Sequence, residues 1–394
     1  MISVDEALAR CLALVAALPV EQVPLAQAAG RYMPQPATAT RDQPPFAASA
    51  MDGYAVQGDP AAGDRFTVVG EAGAGHAWHG TLGPLQAARI FTGAPLPSGA
   101  TRVIIQEDVT RDGDIITVKD GADSATHIRP AGQDFRTGDT LSPRLLRPND
   151  LALLAAMNLP LVPVTRRPVV AIIATGDELV MPGETPGPDQ IIASNSFTLK
   201  ALAEEAGAEV RLLPIARDSA EALRYVLGLA EGADVIVTTG GASVGDHDLV
   251  AEVAASLGME RAFWKIAMRP GKPLMAGRLG GAALLGLPGN PVSAVVCAHL
   301  FLLPMLRALL GLPAEAVAPR LRTAVLAQDV AANGPRAHYM RATLTETDSL
   351  PRIAPFDRQD SSLLSILSHA NALLLRPVGD GARSKGELVS YLPI

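Results

Sequence analysis

Cysteine is almost missing from this chain. Cys11 and Cys297 are the only two, far apart and each set in an apolar helical pattern. That excludes a disulfide framework and thiolate zinc sites, and it suits a reducing cytoplasm. Both thiols read as small buried hydrophobes. Charge is sparse as well, at 19% of residues with a net charge of -7. A chain with no global basic field is not a nucleic-acid binder. No uninterrupted apolar run reaches the roughly 20 residues a membrane span needs. The best stretch, Pro291 to Leu310, contains His299, Pro304 and Arg307, and reads as a kinked, buried helix. Acids at Asp5 and Glu6, with no basic leader, argue against a signal peptide. His76 and His79 have no third ligand nearby and read as loop residues rather than a metal site. The expectation is a soluble cytoplasmic protein without membrane or nucleic-acid partners.

What is present is core-forming and turn-rich: 48% hydrophobic residues, 36 glycines and 32 prolines in 394 residues. That length implies two to four domains. Leu8, Cys11, Leu12 and Val15 follow helical spacing, with Pro19 as the expected stop. From Val23 to about Arg136 short β-like runs alternate with glycine, and Asp112-Gly113 between Arg102–Thr110 and Ile115–Val118 predicts a hairpin. A helix is expected from Leu151 to Met157. Strands at Val169–Ala174, Glu209–Ile215 and Asp234–Thr239 alternate with helices at Asn195–Ala206 and Ser219–Glu231, the pattern of a parallel α/β sheet. Arg320–Ala327, His338–Thr345 and Ala372–Arg376 point to a C-terminal barrel or sandwich.

In open α/β sheets ligands sit beyond the carboxyl ends of the strands. Here those ends read Thr175-Gly176-Asp177-Glu178, Arg217-Asp218, Gly240-Gly241-Ala242-Ser243-Val244-Gly245-Asp246-His247-Asp248 and Pro288-Gly289-Asn290. The Gly240–Gly245 frame can cradle an anion with backbone amides, or it can be a tight strand-to-helix turn. Asp246-His247 replaces the Lys-Ser/Thr of a Walker loop, which disfavours P-loop ATP hydrolysis. Asp218 fits a capping box with Glu221 as well as it fits metal or substrate contact. Asn290 is equally readable as an N-cap before Pro291. Asp248 is harder to explain as a cap, since Asp246 is available. Lys265, Arg269 and Lys272 make a cationic patch, and the stiff turn Pro270–Pro273 presents a cation suited to an oxyanion.

Several motifs occur in a fixed order: Ser49-Ala-Met-Asp52-Gly-Tyr-Ala, Phe91-Thr92-Gly-Ala-Pro-Leu-Pro97, Thr175-Gly-Asp-Glu-Leu179, Gly240-Gly-Ala-Ser-Val-Gly-Asp246, Pro270-Gly-Lys-Pro273 and Leu287-Pro-Gly-Asn-Pro291. Together they resemble the molybdopterin molybdenumtransferase family, which includes the gephyrin E domain. The resemblance spans nearly the whole chain. It implies a multidomain α/β plus β fold with four parts. These are a linking helical domain (1–22, 40–52 and 137–167), an inserted β-rich module (23–39 and 53–136), a doubly wound molybdopterin-binding α/β domain (168–312) and a small C-terminal β-barrel (313–394). It implies Mg²⁺-dependent insertion of molybdate into adenylated molybdopterin, releasing AMP. It also implies a homodimer that shares its cleft between subunits, and dealings with other cofactor-biosynthesis proteins and acceptor enzymes. Asp52, Asp218 and Asp248 would be catalytic, with Asp52 a general base or a cation-positioning acid. Glu178, Asp218 and Asp248 would hold the metal. Thr92, Thr175, Asp177, Glu178, Gly240, Gly241, Ser243, Gly245, Lys265, Arg269, Lys272, Pro288, Gly289, Asn290 and Arg341 would bind substrate. Arginine at 269, where the family more often has lysine, keeps the charge and changes its shape. A molybdopterin adenylyltransferase would lack both the Asp52 module and the C-terminal domain. A gephyrin-like scaffold would need an exposed partner groove.

Overall fold

The computed structural model describes residues 1–240 and 249–394. The chain forms two compact units, Met1–Glu21 with Thr165–Ile394, and Gln22–Val164.

The first unit is built on a six-stranded sheet. Its order is Glu209–Leu212, Val169–Ala174, Val235–Thr239, Ala282–Leu287, Met275–Leu279 and Glu260–Trp264. The first four strands run parallel, and Met275–Leu279 pairs antiparallel with both its neighbours, Ala282–Leu287 and Glu260–Trp264. Both sheet faces must be covered, so the central strands Val169–Ala174 and Ala282–Leu287 are apolar without interruption. Val169–Ala174 shows the two-residue period. Val170 and Ile172 enter a core with helices Asn195–Glu205 and Pro291–Cys297. Val169, Ala171 and Ile173 face helices Ala220–Leu229 and Leu249–Ser256. This is the doubly wound sheet that the sequence predicts.

Local departures have local causes. The first helix is Val4–Leu12, opened by the Ser3 side chain and closed at Ala13, well before Pro19. Its Ala7 and Cys11 lie in the same core cluster as the α/β sheet. The expected strand to Ile215 stops at Leu212, since Pro214 cannot donate to a ladder. The apolar helix Pro291–Leu309 has the length and composition of a membrane span, yet 83% of it is buried in the protein. It widens into a π turn at Ala298–Leu302, immediately before Pro304. A wider turn accommodates the hydrogen bond that proline cannot make.

Beyond it, Arg322–Leu326, Ala337–Thr345, Arg352–Pro355, Ala372–Arg376 and Leu388–Pro393 close into a five-stranded barrel. Closure comes from Ala337–Thr345, which pairs with both Arg352–Pro355 and Ala372–Arg376. The two-residue strand Met268–Arg269 adds in parallel to Ala337 and His338.

The second unit contains a six-stranded sheet in the order Arg102–Ile105, Gly53–Val56, Gln86–Ile90, Arg65–Ala72, Ile115–Val118 and Val109–Asp112. The expected hairpin is present, with Asp112 opposite Ile115 and Gly113 at φ +61 in the turn. Its two-residue loop is therefore Gly113-Asp114. A separate cluster joins helix Pro148–Ala156 to paired two-residue strands, among them Tyr32–Met33 with Arg144–Leu145. The expected helical linking region is thus mostly short β pairs around one helix.

Candidate active site

The carboxyl ends of three parallel strands open on one cavity of about 640 Å³. Thr175, Thr239 and Gly240, and the turn Pro288-Gly289-Asn290, line it with Glu178. Thr175 sits directly after its strand, where its hydroxyl donates to the Thr239 carbonyl at 3.3 Å. Gly240 is at φ +94, and a Cβ there would come within 2.5 Å of the Thr175 carbonyl oxygen. Only glycine lets the two strand ends approach this closely. Asn290 caps the helix by position, but its side chain makes no capping bond and faces the cavity region. Apolar walls come from Leu179, Ile191, Ile192 and Leu364. Polar groups at the base and apolar walls suit a flat ring that carries an anion.

Asp177 and Asp218 do not line this cavity. They bind each other's backbones: Asp177 N donates to Asp218 Oδ2 at 3.3 Å, and Asp218 N to Asp177 Oδ1 at 3.1 Å. Arg217 donates to the carbonyls of Asp177 and Leu179. The fourth strand end is therefore stapled to the Thr175–Glu178 loop. The capping expectation for Asp218 is corrected, because Ser219 is the cap and its Oγ accepts from Ala222 N at 3.2 Å. Gly241, Ser243, Gly245, Asp246 and Asp248 lie outside the described residues. Among the described residues, no group of three or more His, Cys, Asp or Glu side chains is placed to hold a metal.

The cationic residues separate. The Lys265 ammonium lies over the Trp264 ring at 4.2 Å, and Lys265 itself adopts φ +68. Lys272 is half-buried next to Pro273, which lines the cavity. Arg269 is exposed on the short strand beside His338. Burial, helped by the charges of Arg269 and Arg376, pushes the His338 imidazole down to about 4, so it is neutral near pH 7. Arg341 is held by the protein's own backbone. It is 1% exposed, and its guanidinium donates to the carbonyls of Leu363, Arg358 and Asp360 at 3.0, 3.2 and 2.8 Å. It ties down the loop that carries Ser362 and Leu364 to the cavity wall.

In the second unit, Gly53 pairs with Ile90, which brings Asp52 and Thr92 together just beyond the strand ends. Thr92 donates both its N–H and its hydroxyl to Asp52 Oδ1, each at 2.8 Å. Those bonds, the backbone one foremost, hold the Asp52 carboxyl below its ordinary range. Such a carboxylate is a poor proton acceptor near neutrality and a good partner for a cation. Arg89 stacks on Tyr54 and Phe91, and donates to the Gly53 carbonyl at 3.2 Å. A separate cavity of about 620 Å³ in this unit is lined by Pro44, Pro45, Gly93, Arg129 and Asp134.

Sequence reasoning missed Asn195 and Ser362. Asn195 opens its helix, lines the large cavity and donates Nδ2 to the Gly289 carbonyl at 2.7 Å. The run Ser194-Asn195-Ser196 at a helix start was the available signal.

A glycine-lined cavity at the switch point of a doubly wound sheet, with cations beside it, defines an anion-binding α/β protein. Family profiles narrow this. "MoeA N-terminal region (domain I and II)" matches residues 2–158, "Probable molybdopterin binding domain" matches 171–308, and "MoeA C-terminal region (domain IV)" matches 323–394. A molybdopterin molybdenumtransferase of Nostoc sp. is 36% identical over 391 residues, covering 95% of this chain and 89% of that protein. Molybdopterin molybdenumtransferase 2 of Mycobacterium tuberculosis is also 36% identical, covering 89% of each. The crystal structure of the molybdopterin biosynthesis MoeA protein of Pyrococcus horikosii superposes with a TM-score of 0.85 at 30% identity, covering 100% of this chain and 99% of that one. The chain belongs to the molybdopterin molybdenumtransferase (MoeA) family.

Proposed function

We propose that this protein inserts molybdate into adenylated molybdopterin and cleaves the adenylate to release AMP and molybdenum cofactor. The observation that carries the reading is the cavity itself, where Thr175, Gly240 and Gly289 meet between apolar walls. A planar pterin suits those walls. Its phosphate suits backbone amides and hydroxyls at strand ends. Lys272 and Arg269 supply cations for a molybdate dianion.

Magnesium belongs to this proposal, with Glu178, Asp218 and Asp248 as its residues. The Glu178 carboxylate lines the cavity and takes no hydrogen bond among the described residues. One Asp218 oxygen is engaged by Asp177 N and the other is unbonded among those residues. Hard carboxylate oxygens of this kind fit Mg²⁺. When bound, the cation would neutralise charge on the pyrophosphate. Asp52, held ionised by Thr92, serves as a positioning carboxylate rather than as a general base. The homodimer, the cytoplasmic location and the finer four-part division of the chain are parts of the same proposal.

Incubation with adenylated molybdopterin, Mg²⁺ and molybdate should give molybdate-stimulated AMP release. Absence of that stimulation would overturn the reading, and full AMP release by Asp52→Asn would remove Asp52 from it.

A further inference from the structure

Three arginines gather in a place that the proposed reaction does not use. A cavity of about 360 Å³ lies in the first unit between the apolar helix, the connector into the barrel and the last strand. His299, Leu303 and Arg307 line it from the helix, Arg320 from the connector, Arg322 from the start of the first barrel strand and Leu392 from the last. None of these residues lines the large cavity at the strand ends.

We propose that this cavity is a second anion site that takes a small organic phosphomonoester. Charge is the first argument. Arg307, Arg320 and Arg322 make no ion pair among the described residues, and no Asp or Glu lines the cavity. Arg307 is half-buried, and among the described residues its guanidinium makes one hydrogen bond, at 3.5 Å to the Val317 carbonyl. Arg320 spends only its Nε, on the Glu315 carbonyl at 3.2 Å. Burial and the charge of Arg320 both disfavour the Arg307 cation. Arg307, half-buried without a counter-charge among the described residues, is accounted for by an anion held between it and the exposed Arg320 and Arg322 at the same cavity.

Shape is the second argument. Guanidinium forks match the oxygens of a phosphate, and this cavity offers three. Its remaining walls are apolar, from Leu303, Ala316, Pro319, Leu392 and Pro393, which suits a ligand with an organic body rather than a bare ion. Local backbone is the third. His299 belongs to the π turn Ala298–Leu302, and such turns recur where a helix serves a ligand. The His299 imidazole, pushed down to about 4 chiefly by burial, is neutral near pH 7 and offers an uncharged hydrogen-bonding edge.

The test is calorimetric titration with phenyl phosphate, and with benzyl alcohol as the neutral control. It is run on the full chain in a Lys272→Gln background, to weaken anion binding at the large cavity. Saturable phenyl phosphate binding is expected, weakened at least tenfold by Arg320→Gln with Arg322→Gln. Both side chains are exposed, so that variant should fold, and its melting temperature checks this. Arg307→Lys, which keeps the charge and loses the fork, should weaken binding as well. Equal affinity in the double variant, equal binding of benzyl alcohol, or no saturable binding would overturn the proposal. Molybdate-stimulated AMP release by the double variant should match the parent in an otherwise unaltered chain. Its loss would show that the site is not separate. Failure of phenyl phosphate binding leaves the transferase reading intact, because that reading has its own assay.

Discussion

Gly240→Ala tests whether close approach of two strand ends builds the site. At φ +94, an alanine there pays the left-handed penalty, about 1–2 kcal/mol. Its Cβ would also stand 2.5 Å from the Thr175 carbonyl oxygen and 2.9 Å from Thr175 Oγ1. Ordinary contact begins near 3.4 Å, so one strand end must move by roughly 0.9 Å. Forcing an extra carbon into packed surroundings costs about 1–3 kcal/mol more. The combined loss of about 2–5 kcal/mol corresponds to a melting shift on the order of 10 °C for a unit of this size. Catalysis should suffer more, since a displacement of about 1 Å at reacting groups costs roughly 100-fold in rate. Gly281→Ala is the control, because it has a clear surrounding and no positive φ. The assays are a thermal melt and molybdate-stimulated AMP release. A Gly240→Ala protein with the melting point and rate of Gly281→Ala would refute the reasoning.

Other expectations follow from single contacts. The Asp52 carboxyl is lowered by Thr92, so its charge persists down to acid pH and is lost only as pH falls through that depressed value. Thr92→Val removes the hydroxyl bond, raises this pKa, and should move the acid limb of the pH–rate profile upward; an unmoved limb would count against Asp52. Ser219→Ala should cost about 1 kcal/mol of stability through the lost cap with little loss of rate. Asp218→Asn should show the opposite split, and equal melting losses in the two would contradict their separation. Arg341→Met leaves three carbonyls without their donor, which should cost about 3–5 kcal/mol and loosen the Ser362 wall. A raised KM for molybdate with an unchanged melting point would instead make Arg341 a direct ligand.

The division between what is readable and what is not follows the range of the interactions. Val169–Ala174 is legible because a strand covered on both faces must be apolar at every position, and Ala372–Arg376 because its apolar run is bounded by turns. Thr175, Glu178, Gly240 and Gly289 are legible as neighbours around one cavity because strand-end position alone brings them to one place. Asp218 and Ser219 are adjacent, and either is chemically able to cap, so sequence cannot choose between them. The choice falls to Ser219 because the Asp218 carboxylate is already held by Asp177 N, on a strand end over forty positions away in the chain. The surroundings of Arg341 were hidden for a similar reason. In sequence it is a lone cation in a β run, which invites an anion as partner. Closing the barrel buries it beneath the 358–363 loop, where backbone carbonyls fill its fork before any substrate arrives. A buried arginine needs its donors satisfied, and backbone carbonyls can fill its fork, though without the counter-charge an oxyanion would bring. Lys272 and Arg269 make no ion pair among the described residues, whereas the Arg341 guanidinium is taken up by the loop that carries Ser362 and Leu364 to the cavity wall.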